Sequence, residues 1–353
     1  DNNHVYAASY NDAAVTVFSR NTSTGVLTFV EVLKNGDTDV AGNAIDKLDG
    51  AFSVAISSDD NHIYVVSTID DAIVAFSRNT TSGILTFVEY FSNEGTTNLK
   101  SNVVFGLDEV RGMTVSPDDN HVYTVSEGDN AIVTFSRDAG TGVLTFVEIL
   151  QDGGQDAASN AIDGLNGAKN VAVSPDNNYV YTASTNDDAI VVFSRDANTG
   201  VLTFVEMLKD GQTDAALNVI DGLNGAYDVT VSPDNNHVYA VSSSDDAIAV
   251  FSRNTSTGVL TFVEMLKDGQ TDAALNAIDG LDRVRNVTIS SDGNHVYAAS
   301  LNDNGISVFS RDAGTGVLTF VEILQDGQTD AAGNLIDGLD GAYDVIVSPD
   351  NNN

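Results

Sequence analysis

Residues 226–266 read AYDVTVSPDNNHVYAVSSSDDAIAVFSRNTSTGVLTFVEML, and this stretch decides the fold. It contains four runs rich in Val, Ile, Phe and Tyr, at residues 226–232, 237–242, 247–253 and 259–266. β-Branched and aromatic residues of this kind favour strands. The segments between the runs are rich in Asp, Asn, Ser, Thr and Gly, which are typical of tight turns. The stretch therefore predicts a four-stranded antiparallel meander.

The same pattern recurs along the whole chain. The tripeptide Phe-Ser-Arg occurs six times, at steps of 58 or 59 residues, starting at Phe18, Phe76, Phe135, Phe193, Phe251 and Phe309. Residues 200–218 are identical to residues 258–276, which indicates recent internal duplication. Repeats of this length stack on one another, because a single unit cannot bury its own apolar face. We expect one domain, residues 1–353, made of six repeats of about 58 residues.

The repeat predicts an all-β, six-bladed β-propeller with four antiparallel strands, a to d from the axis outward, in each blade. Both faces of the first three strands are apolar, as expected for a sheet packed between two neighbours. The chain begins with a strand b (His4–Ser9) and ends with a strand a (Ala342–Ser348). We expect this C-terminal innermost strand to join the three N-terminal strands and close the ring without long unpaired edges.

The connection from one blade to the next is long, as at residues 267–281. Here Thr271 offers a capping oxygen and Asp272 an acid at the helix start. The following Ala-Ala-Leu consists of good helix formers. This crossover is predicted to contain a helical turn.

The composition excludes several classes of function. With 51 acidic and 15 basic residues the formal charge is −36, which opposes binding to nucleic acid or to anionic membranes. The chain has no cysteine, so disulfides and thiolate chemistry are excluded. It has no apolar run long enough to predict membrane insertion. An acidic surface of this kind is typical of saline-adapted or secreted proteins, and it is also compatible with cation binding. We expect an extracellular or cell-surface protein whose export signal lies upstream of Asp1.

Residues 231–239 (VSPDNNHVY) and 246–251 (DAIAVF) resemble bacterial β-propellers of the lactonase type, the family that includes 6-phosphogluconolactonase. The resemblance extends over every repeat. It implies seven shorter blades and an active site with a Pro-Arg-His pattern at the start of the innermost strands. Arg111 and Arg285 keep the arginine of that pattern, whereas no histidine follows either one. The four equivalent positions in the other blades hold Phe52, Lys169, Tyr227 and Tyr343.

The next position along the innermost strands forms a second ring near the axis, made of Ser53, Gly112, Asn170, Asp228, Asn286 and Asp344. Calcium prefers carboxylate, amide and carbonyl oxygens, so Asp228, Asp344, Asn170 and Asn286 are candidate metal ligands. A chain of waters without an ion is the alternative. Strand alternation leaves open whether this ring or the ring with Arg111 faces the channel.

Two residue types recur at the periphery, where six copies cannot meet at one ligand. The arginines of Phe-Ser-Arg are expected to support the adjacent turn and to pair with nearby acids: Arg20, Arg78, Arg137, Arg195, Arg253 and Arg311. The histidines occupy one hairpin position, with Tyr179 in the remaining blade, and are expected at the surface rather than at a shared metal: His4, His62, His121, His237 and His295.

One crossover departs from the repeat, with Tyr90-Phe91-Ser92-Asn93-Glu94 and Asn102-Val103-Val104-Phe105 in place of the usual residues. Exposed aromatic side chains beside a polar rim are common at binding surfaces. Tyr90, Phe91 and Phe105 are therefore candidate ligand-binding residues. The alternative is that Phe91 and Phe105 pack inward.

Two functions follow from these observations. The first is a non-enzymatic extracellular scaffold, a monomer that needs no cofactor and binds a protein or a glycan, with calcium as an optional ion. The alternative is a lactone hydrolase. In a ring of six blades Arg111 and Arg285 lie on opposite sides of the axis, where guanidinium groups bind an anion or stabilise an oxyanion. Glu109 is then the candidate general base.

Overall fold

The computed structural model describes residues 3–93 and 104–348, which form β-strands and no α-helix. Blade 1 contains β1 (His4–Ser9), β2 (Ala14–Arg20) and β3 (Leu27–Lys34). Blade 2 contains β4 (Ala51–Ile56), β5 (His62–Ser67), β6 (Ala72–Arg78) and β7 (Leu85–Ser92), and blade 3 contains β8 (Val110–Val115), β9 (His121–Ser126), β10 (Ala131–Arg137) and β11 (Leu144–Gln151). Blade 4 contains β12 (Ala168–Val173), β13 (Tyr179–Ser184), β14 (Ala189–Arg195) and β15 (Leu202–Lys209). Blade 5 contains β16 (Ala226–Val231), β17 (His237–Ser242), β18 (Ala247–Arg253) and β19 (Leu260–Lys267), and blade 6 contains β20 (Val284–Ile289), β21 (His295–Ser300), β22 (Gly305–Arg311) and β23 (Leu318–Gln325).

Each sheet is an antiparallel meander whose strand order follows the chain. The prediction of an all-β, six-bladed propeller with four-stranded blades is confirmed, with four strands in blades 2 to 6 and three in blade 1. No described residue belongs to a helix long and apolar enough to cross a membrane.

The hydrophobic core lies between blades rather than inside any one of them. One cluster joins Tyr181 and Val192 of blade 4 to Val229, Val238 and Phe251 of blade 5. Equivalent clusters lie at the other junctions between consecutive blades. Each sheet is therefore stabilised mainly by the neighbours on its two faces.

A buried arginine crosses each of these junctions. Arg137 of blade 3 donates from Nε to the Tyr64 hydroxyl of blade 2 (3.0 Å) and from Nη2 to the Asp59 carboxylate (2.8 Å). Its Nη1 donates to the carbonyl of Asp119 in its own blade (2.9 Å), and its side chain is 0% exposed. The arginine thus supports its own turn, as predicted, and also joins two blades. Equivalent arginine–tyrosine pairs are Arg78–Tyr6, Arg195–Tyr123, Arg253–Tyr181 and Arg311–Tyr239.

The prediction that the histidines lie at the surface is wrong for His62, His121 and His237, which are buried. The reason is the neighbouring blade: His121 Nδ1 lies 2.7 Å from Nη2 of Arg195. Gly200 of that blade has a positive φ of 78°, and a Cβ there would lie 2.3 Å from the His121 ring. Burial and the Arg195 charge lower the pKa of His121, so the ring stays neutral beside the guanidinium.

Where the structure describes the crossovers, they hold no helical turn, so that prediction is wrong. In the crossover of blade 5, Asp272 accepts through Oδ1 from the amides of Ala274 (2.9 Å) and Asn276 (2.8 Å), and Leu275 has a positive φ of 68°. This conformation ends any helix after one turn. The second oxygen, Oδ2, accepts from the amide of Phe320 in blade 6 (2.9 Å). The capping residue expected of a helix instead joins two blades.

Residues 342–348 occupy the place of an innermost strand beside blade 6, because the Val345 amide donates to Oδ1 of Asn286 (3.2 Å). The predicted ladder between this segment and β1 is not formed by the described residues. Hydrogen bonding to β1 requires the two ends of the chain to meet, whereas the other five junctions join neighbours in sequence.

Substituting the tyrosine of an arginine–tyrosine pair tests how much the pair contributes to the stability of the fold. Tyr239 accepts from Arg311 (2.7 Å) and donates to the Gly316 carbonyl (2.9 Å), whereas the hydroxyl of Tyr297, its counterpart in blade 6, has no hydrogen-bond partner among the described residues. We expect Tyr239→Phe to lower the free energy of unfolding by about 1 to 3 kcal/mol in urea titrations, because a buried donor is left unpaired. Tyr297→Phe is the matched control and should change it by less than about 0.5 kcal/mol. Equal effects of the two substitutions would contradict this account.

Candidate functional site

The innermost strands surround a cavity of about 480 Å³, counted out to the solvent at its mouth. The cavity is lined by Phe52, Ser53, Arg111, Gly112, Lys169, Asn170, Tyr227, Arg285, Asn286, Tyr343 and Asp344. Both rings predicted near the axis therefore contribute to it.

A bulge at the start of each innermost strand explains why two successive positions reach the cavity. In blade 4 the register between β12 and β13 shifts between Ala168 and Asn170, so Lys169 has no partner across the ladder. The same shift occurs in blades 2, 3, 5 and 6. Bulges of this kind redirect side chains and are frequent beside active sites.

Arg285 lies beside two aromatic rings whose planes are almost perpendicular to each other. Its guanidinium carbon is 4.3 Å from the ring centre of Tyr227 and 6.0 Å from that of Tyr343, and the two tyrosine hydroxyls contact each other. The Arg285 Nε is buried and has no hydrogen-bond partner in the described parts of the chain. No carboxylate of the described residues forms an ion pair with this guanidinium. Arg285 therefore presents an uncompensated positive charge to the cavity.

The opposite side of the cavity holds a cluster of three charges. The Glu127 carboxylate accepts from Arg111 Nε (2.9 Å) and contacts Lys169 Nζ. Desolvation alone would raise the pKa of Glu127, but the bonds and charges of Lys169 and Arg111 hold it below its ordinary value. Desolvation lowers the pKa of Lys169, and Glu127 opposes that change. The cluster keeps one net positive charge.

Asp344 is the carboxylate that lines the cavity, and desolvation raises the pKa of this group. Asp228, the equivalent residue in the innermost strand of blade 5, is only 3% exposed and does not line the cavity. Its Oδ1 accepts from the Val229 amide (2.8 Å), and its Oδ2 accepts from the Val287 amide (2.8 Å) and from Asn286 Nδ2 (3.0 Å). Burial raises the pKa of Asp228 to about 7. Calcium binding by Asp228, Asp344, Asn170 and Asn286 stays a prediction.

Glu109, the predicted general base, has an exposed side chain and does not line the cavity. The carboxylate beside Arg111 is Glu127 instead. Sequence reasoning missed Glu127, although a signal was present. The equivalent positions in the other five repeats hold Tyr10, Thr68, Thr185, Ser243 and Leu301, so Glu127 introduces a charge where the other repeats have none.

The three aromatic residues of the divergent crossover have different environments. Phe91 is buried, with its ring centre 5.4 Å from that of Phe135, and Tyr90 packs beside Phe87. Phe105 is 70% exposed. The structure thus does not bring the three side chains to one surface. Glu94, Asn102 and Val103 lie outside the described residues.

Carboxylates also meet at two places where a crossover lies against a turn of the next blade. Asp152, Asp163 and Asp187 place one oxygen each within 4.8 Å of one another, as do Asp210, Asp221 and Asp245. Lys209 and Lys267 each form an ion pair at the edge of one of these groups. The groups lie away from the channel and do not contribute to its lining.

A family profile described as "Lactonase, 7-bladed beta-propeller" matches residues 1–149, 106–213 and 207–323. A 6-phosphogluconolactonase of Enterobacter sp. (strain 638) is 24% identical over 333 residues, which is 94% of this chain and 84% of that protein. The crystal structure of a putative 6-phosphogluconolactonase from Bacteroides uniformis superposes with a TM-score of 0.66 at 17% identity, over 91% of this chain and 81% of that one. The periplasmic gluconolactonase of Pseudomonas aeruginosa superposes with a TM-score of 0.62 at 16% identity, over 88% and 77%.

The raised pKa of Asp228 predicts a pH-dependent effect of Asp228→Asn. Above pH 7 the buried carboxylate is charged in the folded state at a cost that the unfolded chain, with its pKa near 3.8, does not have. Below pH 4 both states are protonated and this cost disappears. We expect the melting temperature of the variant, relative to the unsubstituted protein, to rise between pH 4 and pH 8. Asp12→Asn, at an exposed side chain, is the control and should show no such trend. If the difference in melting temperature between Asp228→Asn and the unsubstituted protein does not change with pH, the pKa of Asp228 is not raised.

Proposed function

Because the chain belongs to the seven-bladed lactonase β-propeller family, we propose that it hydrolyses a small anionic sugar lactone in the channel cavity. The expectation of a non-enzymatic scaffold is contradicted by these comparisons, since a 6-phosphogluconolactonase aligns with 94% of the chain. The alternative, a lactone hydrolase with Arg111 and Arg285 at its site, is the hypothesis that the relatives favour.

The unpaired guanidinium of Arg285 carries the proposal. A half-buried cation without a carboxylate partner is unusual in a chain with 51 acidic residues. An anionic ligand supplies the missing partner, because charge-assisted hydrogen bonds to phosphate or carboxylate are strong and the planar guanidinium matches their geometry. Tyr227 and Tyr343 each form a cation–π contact with this guanidinium, which helps to hold it at the cavity.

The remaining cavity residues provide the groups that ring opening needs. A water molecule attacks the lactone carbonyl carbon and gives its proton to Asp344. Burial raises the pKa of this carboxyl group, which makes its ionised form a stronger base. Lys169 and Arg111 stabilise the negative charge that develops on the carbonyl oxygen. The carbon–oxygen bond of the ring then breaks, and the proton passes from Asp344 to the departing ring oxygen, which leaves an open hydroxy acid.

Glu127 has a positioning role in this scheme. It accepts a hydrogen bond from Arg111 and contacts Lys169, and it does not line the cavity. By holding both cations it orients them toward the carbonyl oxygen before substrate arrives, so that little reorganisation is needed in the transition state.

Arg285→Gln tests the binding of the anion. We expect kcat/KM for 6-phosphogluconolactone to fall about 10- to 100-fold, because a charge-assisted hydrogen bond contributes about 1.5 to 3 kcal/mol. Arg283→Gln removes the same charge two residues away at an exposed side chain and should retain activity. If both variants hydrolyse the lactone as the unsubstituted protein does, Arg285 does not bind the substrate.

Asp344→Asn tests the base. We expect kcat to fall at least about 100-fold with little change in KM, because the group acts on the attacking water. In the unsubstituted protein kcat/KM should fall as the pH drops through a pKa above 3.8, since burial raises that of Asp344 and the base must be ionised. Glu109→Gln is the matched control and should keep both the rate and the pH profile. Loss of activity in Glu109→Gln alone would reverse the assignment.

A further inference from the structure

Three junctions between blades contain a buried histidine that contacts an arginine of the next blade. The histidine belongs to blade 2, blade 3 or blade 5, and its side chain lies beside the arginine–tyrosine pair of the junction. Nδ1 of the ring lies 2.7 or 2.8 Å from Nη2 of the arginine in the three pairs, which are His62–Arg137, His121–Arg195 and His237–Arg311. Each of these histidines is at most 3% exposed.

The contact determines the protonation state of the ring. A guanidinium group has N–H donors and no acceptor, and it does not lose its proton in proteins. Nδ1 must therefore be the acceptor of the hydrogen bond, and an imidazole that accepts through Nδ1 is neutral. A proton on Nδ1 would remove this bond and bring two cations into direct contact.

A turn of the next blade prevents the ring from moving away from the arginine. A glycine with a positive φ lies against each ring, in the pairs Gly142–His62, Gly200–His121 and Gly316–His237. A Cβ on these glycines would lie only 2.1 to 2.3 Å from the histidine ring, so the backbone of the turn contacts the ring directly. A protonated ring can leave the arginine only if the two blades move apart.

The junction between blades 4 and 5 has a tyrosine in place of the histidine. The Tyr179 hydroxyl donates to the Ser256 carbonyl (2.6 Å), and its ring centre lies 5.0 Å from the guanidinium carbon of Arg253. Gly258 lies against this ring as the equivalent glycines lie against the histidines. Burial raises the pKa of Tyr179, so this side chain stays neutral in acid. The junction is therefore an internal control for the other three.

Burial and, after it, the charge of the arginine lower the pKa of all three histidines. Nearby carboxylates oppose this change only in part. At His121 they are Asp118 and Asp196, and a hydrogen bond to the Thr199 backbone acts in the same direction. The corresponding carboxylates are Asp59, Asp119 and Asp138 at His62, and Asp234 and Asp312 at His237. The tyrosines of the arginine–tyrosine pairs have raised pKa values and stay neutral.

We propose that His62, His121 and His237 are an acid-sensitive switch, which loosens three junctions of the propeller at weakly acidic pH and leaves the junction between blades 4 and 5 closed. When a junction opens, its histidine returns to water and binds a proton near pH 6.5, which the closed junction does not bind. Opening therefore becomes more favourable below pH 6.5, by up to about tenfold per histidine for each pH unit, until the lowered pKa of the closed state is reached. Above pH 6.5 the ring is neutral in both states and the switch is inactive.

Three amides that cross neighbouring junctions report whether each one is open. Phe204, Phe262 and Phe320 each donate to a crossover aspartate (2.9 Å), at the junctions between blades 3 and 4, 4 and 5, and 5 and 6. Desolvation raises the pKa of these aspartates, but their hydrogen bonds hold it below the ordinary value, so the acceptors stay ionised.

The first test measures amide hydrogen exchange in the unsubstituted protein at pH 7 and pH 5, corrected for the intrinsic exchange rate. We expect the protection of Phe204 and Phe320 to fall about tenfold or more relative to that of Phe262, because only the latter reports a junction without a histidine. Equal changes at the three amides would overturn the proposal, since the blades would then open together.

The second test exchanges the residues of two junctions. His121→Tyr gives the junction between blades 3 and 4 the residue that its neighbour has, and Tyr179→His does the reverse. We expect the acid-induced loss of protection to disappear at Phe204 in the first variant and to appear at Phe262 in the second. The number of protons taken up on unfolding between pH 5 and pH 6.5 should fall by up to about one in His121→Tyr and rise by up to about one in Tyr179→His.

Proton uptake is obtained from the slope of the unfolding free energy against pH in urea titrations. Buried carboxylates with a raised pKa, such as Asp228, change this slope in the opposite direction, but they do so equally in every variant. If both substitutions leave the slope unchanged, the histidines bind protons equally in the folded and unfolded states, and the proposal is wrong.

Discussion

The whole structure depends on removing an arginine side chain from water at each junction between consecutive blades. An unpaired buried guanidinium costs several kcal/mol, so every donor that loses water has to find an acceptor. In Arg137 these acceptors are a tyrosine hydroxyl and a carboxylate of the preceding blade and a carbonyl of its own blade. Because the acceptors come from two sheets, all of the bonds form only when the two blades have one particular spacing and one particular tilt relative to each other. That spacing sets the distance of the innermost strands from the axis, and hence the width of the cavity they surround.

Much of the fold was predictable from the repeat alone. The 58-residue period and the turn chemistry gave six meanders, and the predicted third strand at 247–253 coincides with β18 (Ala247–Arg253). The errors concern contacts between blades. A histidine beside a turn looks exposed until Arg195 of the next blade is placed on it, and Asp272 looks like a helix cap until Phe320 uses its second oxygen. A periodic sequence shows which residues recur and says little about the neighbour that each one touches.

The candidate site, too, was predictable from the sequence only in part. Arg111 and Arg285 were identifiable because they interrupt a repeated position, and both line the cavity. The base was not identifiable in this way, because Glu109 and Asp344 are both acids near a predicted innermost strand. A pattern of alternating residues does not reveal which of the two acids reaches the cavity: Asp344 lines it, whereas Glu109 precedes β8 and lies outside it. The function follows from these departures from the repeat, while the repeated residues build the scaffold.

The positive cavity lies inside a chain whose net charge is −36, and this contrast governs how an anion arrives. At low ionic strength the summed field of the surface carboxylates extends far into solution and repels an approaching anion before Arg285 attracts it. At about 0.15 M salt the field decays over roughly 8 Å, so that distant carboxylates are screened while the cations of the channel still act at short range. Association with an anionic molecule therefore becomes faster as salt is added, the reverse of the behaviour of oppositely charged partners. For an anionic ligand of the channel, we therefore expect a higher association rate in saline surroundings than in dilute buffer.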